Sequence, residues 1–239
     1  MPILEGEGVT KYFGGLAAVQ NVDFSIHQGE IVGLIGPNGA GKTTLFDLIS
    51  AALVPKRGVI RFKDETITGL KPHQICRKGL ARTFQSVKVF ANMPVIANVV
   101  LGVQFGSPNR ISTTDALREA RELLGFVGLA EMAAIPAKDL TLPNQKLLEV
   151  ARALATKPAL LLLDELMAGL NHTEVAEAME LVTRIRDKGI TIFMIEHVMK
   201  AIMNVCDRII VLHHGEKIAE GTPLEISTSK NVVEVYLGE

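Results

Sequence analysis

G-P-N-G-A-G-K-T-T, the stretch from Gly36 to Thr44, decides the fold of this chain. It fits the pattern G-x-x-x-x-G-K-[ST], in which a glycine-rich loop joins a strand to a helix and surrounds phosphate groups. Apolar runs at 31–35 and 45–49 flank the stretch and supply the strand and the helix that the pattern requires. The sequence therefore predicts an α/β fold built around a phosphate-binding loop, rather than a glycine-rich turn that precedes a lysine by chance.

The residue types in this loop suit the binding of an anion. Gly36, Gly39 and Gly41 permit positive φ and a close backbone approach, so successive N–H groups can converge on phosphate oxygens. The following helix directs the positive end of its dipole at the same anion. The pattern predicts that Lys42 reaches the β- and γ-phosphates and that Thr43 places its hydroxyl on Mg²⁺. The predicted nucleotide-binding residues of the loop are Gly36, Pro37, Asn38, Gly39, Ala40, Gly41, Lys42, Thr43 and Thr44.

An acidic pair follows the most apolar stretch of the chain. Residues 159–163 read A-L-L-L-L, as expected of a strand buried on both faces of a parallel sheet, and Asp164 and Glu165 come next. Ligands of open α/β sheets bind at the carboxyl ends of the strands. An aspartate there can hold Mg²⁺ through water, and the next carboxylate can orient or deprotonate an attacking water. The alternative is an acidic pair that only caps the next loop.

A second predicted buried strand, at 190–195, ends in Glu196 and His197. A single histidine is usually structural or solvated. His197, however, is expected at the same sheet edge as Lys42 and Glu165, where contact with a γ-phosphate becomes plausible.

The remaining segments predict a core interrupted by a helical insertion. Residues 3–27 are expected to form antiparallel strands with a turn at Gly14 and Gly15. His213 and His214, in the turn of a terminal hairpin, are expected to point to opposite sides and to bind no metal. We further expect a strand at 59–62, helices at 93–103, 146–155, 171–187 and from Thr114, a loop at 106–109 and the terminal hairpin at 207–219.

Composition limits the possible partners. The chain has 239 residues, enough for one domain with a subdomain, and a net charge of −1, which gives no electrostatic basis for nucleic-acid binding. Its first four residues run directly into acidic Glu5 and Glu7, so no signal peptide is expected. The longest apolar run, 158–163, is strand-sized, so any membrane role is expected to come through a partner.

Taken in order, these motifs resemble the ATP-binding subunit of an ABC transporter over nearly the whole chain. The resemblance rests on the phosphate loop, A-R-T-F-Q ending at Gln85, L-L-L-L-D-E, A-G-L-N and E-H. It implies a RecA-like core that carries an antiparallel β-subdomain, formed by residues 1–85 and 149–239. It also implies an inserted helical subdomain at 86–148.

The resemblance assigns a role to single residues. Phe13 is similar to the residue that stacks on adenine, with Tyr12 as the fallback; from spacing alone, an ordinary core or surface aromatic is an equal alternative. Gln85 resembles the glutamine that senses Mg²⁺ and couples to the membrane subunit. The other assignments are Asp164 to the Mg²⁺ aspartate, Glu165 to the catalytic carboxylate and His197 to the histidine at the γ-phosphate.

A narrower resemblance is to the branched-chain amino-acid importer class. It rests on L-A-R-T-F-Q, V-F-A-N-M-P-V-I-A-N-V, D-E-L-M-A-G-L-N and the ending V-Y-L-G-E. The class implies two different ATPase subunits beneath two membrane permease subunits, at the cytoplasmic face of the inner membrane. A solute-binding protein acts indirectly. The lipopolysaccharide-exporter ATPase is a close relative and stays an alternative, because this chain names neither the cargo nor the direction.

One departure from the family pattern matters for partners. The family signature L-S-G-G-Q corresponds here to Leu140-Thr141-Leu142-Pro143-Asn144, without either glycine. In the family this segment closes over the γ-phosphate held by the opposite subunit, and Leu142 and Pro143 cannot allow the same close approach. A homodimer would place this segment in both sites. We therefore expect a heterodimer, with hydrolysis concentrated at the site built on Lys42 and Glu165.

Two further function classes compete with a transport ATPase. Soluble ABC-type ATPases of DNA repair or translation usually carry coiled-coil insertions or two ATPase halves, whereas this insertion is short and one phosphate loop is present. A non-hydrolysing nucleotide-binding module would fit the altered signature. The intact Lys42, Asp164, Glu165 and His197 disfavour it.

Overall fold

The computed structural model of the chain describes residues 1–106 and 111–237. Most of the predicted loop at 106–109 and the last two residues of the chain lie outside this range. The strands are β1 (Pro2–Phe13), β2 (Leu16–His27), β3 (Ile31–Ile35), β4 (Arg57–Phe62), β5 (Glu65–Thr66), β6 (Leu80–Arg82), β7 (Leu160–Asp164), β8 (Thr191–Ile195), β9 (Arg208–His213) and β10 (Glu216–Gly221). The α-helices are α1 (Lys42–Ile49), α2 (Pro72–Lys78), α3 (Val95–Gly106), α4 (Thr113–Phe126), α5 (Leu142–Leu154), α6 (His172–Asp187), α7 (Met199–Val205), α8 (Pro223–Thr228) and α9 (Lys230–Leu237).

The larger sheet carries the predicted site. Within the described residues its strand order is β10-β9-β3-β8-β7-β6, and all neighbours except β10 and β9 run parallel. Strands β3, β7 and β8 are buried along their whole length, because helices or the smaller sheet cover both faces. Their carboxyl ends therefore share one edge, where residues 36–41, 164–165 and 196–197 follow. The residues predicted for the site therefore lie at one edge of the larger sheet, as expected from the apolar runs that precede them.

The smaller sheet packs beside the phosphate loop. It is antiparallel with the order β2-β1-β4-β5, as predicted for residues 3–27. The backbone of β2 reaches the larger sheet, where the Gln20 N–H donates to the Gly215 carbonyl at 2.8 Å. Phe46 of α1 and Phe193 of β8 fill the space between the two sheets, with ring centroids 5.0 Å apart. The smaller sheet thus braces one side of the loop.

The helices α3, α4 and α5 lie against the opposite face of the larger sheet, in one apolar cluster with α6. Helix α5 starts at Leu142, four residues before the predicted start, because proline is tolerated in a first helical turn, where its missing N–H has no partner to lose. The division at residue 148 falls inside α5, and the division into subdomains stays a prediction.

The terminal hairpin formed as predicted, but its two histidines do not point apart. The ring centroids of His213 and His214 lie 4.0 Å from each other. His214 adopts a positive φ of 47°, which turns the chain so that the second ring folds back towards the first.

Candidate active site

The phosphate loop is held in a conformation that only glycine tolerates at two points. Gly36 and Gly41 have φ values of 150° and 100°. A Cβ atom on Gly36 would lie 2.1 Å from the Leu212 carbonyl oxygen, and one on Gly41 would lie 2.2 Å from the Ala18 carbonyl oxygen. Neighbouring strands thus fix the path of the loop from both sides. Asn38 and Gly39 are exposed at its tip, whereas Pro37 and Ala40 are buried beneath it.

Lys42 begins α1 and is buried inside the loop. Its ammonium donates to the Gly36 carbonyl at 2.6 Å and to the Pro37 carbonyl at 2.9 Å. Burial lowers the pKa of Lys42, and the negative charges of Glu165 and Asp164 oppose that shift. The cation therefore lies between the loop backbone and the acidic pair. Thr43 follows it, exposed in the first turn of α1, and Thr44 is half-buried.

Asp164 ends β7 as a buried carboxylate that is only partly satisfied. Its Oδ2 accepts a hydrogen bond from Arg82 Nη2 at 2.9 Å, while its Oδ1 has no hydrogen-bond partner among the described residues. Burial raises the pKa of Asp164, and the Arg82 guanidinium opposes that shift. A buried carboxylate oxygen without a protein donor suits a hydrated cation. This observation makes the site fit the Mg²⁺ ion that the phosphate-loop pattern implies.

Arg82 is a site residue that the sequence analysis missed. Strand β6 lies parallel to β7 and aligns Arg82 with Leu162, which brings the guanidinium beside Asp164. Its Nη1 donates to Asp47 of α1 at 2.5 Å and to Ser50, the residue that caps the end of α1, at 3.0 Å. Arg82 thus ties the acidic strand end to the phosphate-loop helix. Its place three residues before Gln85 is the only sequence signal that points to it.

Three predicted residues meet in a hydrogen-bonded chain. Gln85 Nε2 donates to Glu165 Oε2 at 2.9 Å, and the other Glu165 oxygen lies 2.9 Å from His197 Nε2. Glu165 is mostly buried while His197 is half-exposed, so the carboxylate lies between the buried interior and the open edge of the sheet. Residues from three separate parts of the chain thus converge on Glu165.

Phe13 lies at the end of β1, beside the loop. It pairs with Leu16 on β2, and two residues further along β2 the Ala18 carbonyl touches Gly41. Phe13 is 49% exposed and Tyr12 is 41% exposed. Exposure therefore does not distinguish the two aromatic candidates.

Two buried charged residues behind Glu165 were also missed by the sequence analysis. Lys146 of α5 donates to three backbone carbonyls in residues 165–168, and Glu196 Oε1 accepts from the Met167 N–H at 2.7 Å. Burial raises the pKa of Glu196 to about 7. Lys146 stands in no motif used in the sequence analysis. Glu196 is the first residue of the E-H pair at the end of a predicted buried strand, but the pair assigned a role only to His197.

The altered signature segment forms the start of α5. Thr141 occupies the N-cap position and Leu142 is 51% exposed. Leu142 and Pro143 are the first two helical residues, so the helix presents apolar side chains where the family pattern has glycines.

Comparisons with known proteins agree with this geometry. Residues 19–168 match a family model described as ABC transporter, and residues 216–239 match one described as branched-chain amino acid ATP-binding cassette transporter. The chain is 39% identical to the high-affinity branched-chain amino acid transport ATP-binding protein BraF of Pseudomonas aeruginosa. It is 41% identical to the corresponding protein LivG of Escherichia coli K12; both matches cover 100% of this chain and 98% of the relative.

Solved structures show the same fold. The ADP conformation of an ATP-binding cassette from an ABC transporter superposes with a TM-score of 0.91 at 31% identity, over 100% of both chains. A dimeric cassette in a post-hydrolysis state, bound to ADP and phosphate, gives a TM-score of 0.85 at 25% identity, over 92% of this chain and 98% of that one.

Proposed function

This chain belongs to the ABC transporter family of ATP-binding cassettes, and we propose that it hydrolyses ATP to drive the import of branched-chain amino acids. The observation that carries the proposal is the hydrogen-bonded chain of Gln85, Glu165 and His197 beside the phosphate loop. The match of residues 216–239 to the branched-chain amino acid model favours this class over the exporter relative.

The proposed reaction is phosphoryl transfer from ATP to water. The loop from Gly36 to Thr44 binds the phosphates, and the Lys42 ammonium offsets charge on the γ-phosphate. Glu165 accepts a hydrogen bond from the attacking water and draws its proton away, while His197 steadies the γ-phosphate. Phe13 stacks on the adenine ring.

The residues that would hold Mg²⁺ are Thr43, Gln85 and Asp164. The unpartnered Asp164 Oδ1 supports this assignment. When bound, Mg²⁺ would offset the negative charge on the phosphates.

We propose that the permease docks in a groove between the larger sheet and helix α3. The groove has a volume of about 1080 Å³ and starts at Phe84, the neighbour of Gln85. Phe90 and Phe105 line it, and the cationic groups of Lys88 and Arg152 lie over aromatic rings at its wall. An amphipathic permease segment with an apolar face and an acidic residue fits this combination of aromatic and basic groups.

This docking would place the chain at the cytoplasmic face of the inner membrane. Among residues 1–106 and 111–237, no helix combines the length and apolarity needed to cross a bilayer. The permease is therefore the proposed membrane anchor of the complex.

The second ATPase subunit is proposed to be a different chain. The exposed Leu142 and the proline at 143 leave the start of α5 without the glycines that allow close approach to a phosphate. A partner with an intact signature would complete the site built on Lys42 and Glu165, whereas a second copy of this chain would not.

The test is the variant Glu165→Gln in the complex reassembled with its partner ATPase and permease subunits. We expect ATP turnover to fall about 100-fold or more, because the carboxylate that orients water is lost, with ATP binding retained. The matched control is Glu177→Gln, on the exposed face of α6. If ATP turnover of the complex stays largely intact in Glu165→Gln, the assignment of the hydrolytic site to this chain is wrong.

A further inference from the structure

The backbone of Glu165 adopts a conformation that is rare for a residue with a side chain. Its φ is 52°, in the left-handed region. Such a backbone conformation is strained and persists only where the surrounding structure holds it. One support is the Glu165 N–H, which donates to the Ile195 carbonyl of the neighbouring strand at 2.9 Å. The carbonyl side of the same residue needs a second support.

Lys146 supplies that second support. Its ammonium donates to the carbonyls of Glu165 at 3.0 Å, Leu166 at 3.1 Å and Ala168 at 2.6 Å. Three donors on one ammonium thus meet three acceptors, which uses the full capacity of the lysine. Lys146 is 8% exposed, so water does not replace these bonds at low cost.

The cation is balanced from the other side of the same loop. Glu196 is buried and accepts a hydrogen bond from the Met167 N–H at 2.7 Å, so it holds the one residue between Leu166 and Ala168. Negative charge on Glu196, Glu165 and Glu149 favours the charged form of Lys146, although burial lowers its pKa. Lys146 therefore holds backbone carbonyls of residues 165–168, and Glu196 holds a backbone N–H of the same segment.

We propose that Lys146 is a positioning residue for hydrolysis, which fixes the backbone of Glu165 so that its carboxylate points between Gln85 and His197. The inference rests on the proposed function of Glu165. Lys146 does not touch the carboxylate and acts only through the backbone. A displacement of about 1 Å at a catalytic group can lower a rate about 100-fold. Loss of the hydrogen bonds from Lys146 should therefore reduce turnover strongly.

Lys146 also connects the backbone of Glu165 to the altered signature segment. It lies one turn into α5, the helix whose first residues form the signature segment. Movement at the start of α5 would therefore shift the support of Glu165 directly. This placement distinguishes Lys146 from a lysine that only fills a space in the core.

The experiment compares Lys146→Met, Lys146→Arg and wild type in the reassembled complex, with ATP as the probe. We expect Lys146→Met to lower kcat about 10- to 100-fold while KM for ATP stays within about twofold, because the loop that binds phosphate is untouched. Lys146→Arg keeps several donors and should recover kcat to within about threefold of wild type. The control is Lys56→Met, at an exposed position outside helices and strands.

Two results would overturn the proposal: a kcat unchanged in Lys146→Met, or an arginine variant no more active than the methionine variant. Should Lys146→Met fail to fold, Lys146→Gln takes its place. Its shorter side chain has only two N–H donors for three carbonyls, so kcat must fall at constant KM, and wild-type kcat in that variant overturns the proposal. Glu165→Gln, measured in parallel, separates the two inferences. If it abolishes turnover while the lysine variants do not change it, only the positioning role is wrong.

Discussion

At the scale of single residues, Glu196 is the least expected feature of the site. A carboxylate that is almost fully buried normally pairs with a cation or stays protonated. Here burial raises its pKa to about 7, although the Met167 N–H and Lys146 act in the opposite direction. The carboxyl therefore titrates in the physiological range, directly behind residues 165–168.

The raised pKa of Glu196 predicts a specific pH dependence of stability. The unfolded chain releases this proton near 4.5, the ordinary pKa of glutamate, and the folded chain near 7, so the folded state holds more protons between those pH values. The contribution of Glu196 to the free energy of unfolding is thus largest below pH 4.5 and falls by about 3 kcal/mol as the pH rises from there to just above 7.

The measurement is urea unfolding of wild type and Glu196→Gln at pH 5.5 and pH 8. The glutamine keeps an acceptor for the Met167 N–H but cannot ionise, so it should gain stability relative to wild type at the higher pH. The control is Glu177→Gln, which should not alter the pH profile. Parallel profiles for wild type and Glu196→Gln would contradict the raised pKa.

The sequence predicts catalytic groups better than it predicts their supports. Lys42, Asp164, Glu165 and His197 follow strands or a glycine pattern, so the topology of a parallel sheet brings them to one edge. Arg82 contacts Asp164, which lies 82 positions later in the chain, and Lys146 contacts carbonyls that lie 19–22 positions later. No local sequence pattern predicts contacts between groups this far apart in the chain.

At the scale of elements, the close packing of α3 on α5 depends on glycine. A Cβ on Gly102 would lie 2.7 Å from the Arg152 carbonyl oxygen and 2.8 Å from the Ala155 Cβ. Both neighbours belong to a rigid helix end rather than to flexible side chains. The two helices therefore cannot keep this distance with any larger residue at 102.

Two glycine-to-alanine changes should have opposite effects on stability. Gly102→Ala should destabilise the fold by about 1–3 kcal/mol, because the added methyl group forces the helices apart. Gly125→Ala, at the exposed end of α4 where a Cβ meets nothing within 4 Å, should stabilise it by about 0.5–1 kcal/mol through helix propensity. Thermal unfolding of both variants checks this pair, and the same sign of shift in both would contradict the packing argument.

Most elements could be predicted from apolar periodicity, and the exceptions have physical reasons. The buried strands and α6 were predicted to within about two residues, because continuous apolar runs and a capping asparagine mark them. The predicted start of α5 lies four residues too late, because Leu142 and Pro143 do not stand out as a helix start in the sequence. Thr141 occupies the N-cap position through its backbone conformation, without a side-chain capping hydrogen bond.

At the scale of the whole molecule, the sheet edge that carries Glu165 and the groove proposed to bind the permease lie on either side of a short segment. Gln85 faces Glu165 at the edge, and its neighbour Phe84 lines the groove. Helix α5 spans the same distance, with Lys146 behind Glu165 and Glu149 accepting a hydrogen bond from the Lys88 N–H at 2.9 Å. A partner bound in the groove could therefore shift the Glu165 carboxylate in two ways, through the segment that carries Phe84 and Gln85 or through α5.

A change at the rim of the groove should affect coupling without affecting nucleotide binding. Phe105 is 71% exposed in the groove, and Phe105→Ser should lower permease-stimulated ATP turnover about tenfold, because an apolar contact with the partner is lost. Affinity for ATP, measured on the isolated chain, should not change. Val54→Ser, at a 55% exposed position away from the groove, serves as the control. Equal stimulation of Phe105→Ser and wild type would rule out this face as the permease contact.

The apolar start of α5 also bears on the stoichiometry of transport. In the proposed heterodimer, one of the two nucleotides would meet Leu142 and Pro143 instead of glycine. We therefore expect this pair to hydrolyse a single ATP in each closure. One phosphoryl transfer would then set the largest concentration ratio against which the solute can be moved, and the second nucleotide would only stabilise the contact between the subunits. In such a complex, the energy available for transport would therefore depend on which chain carries the better signature, not on the number of nucleotides bound.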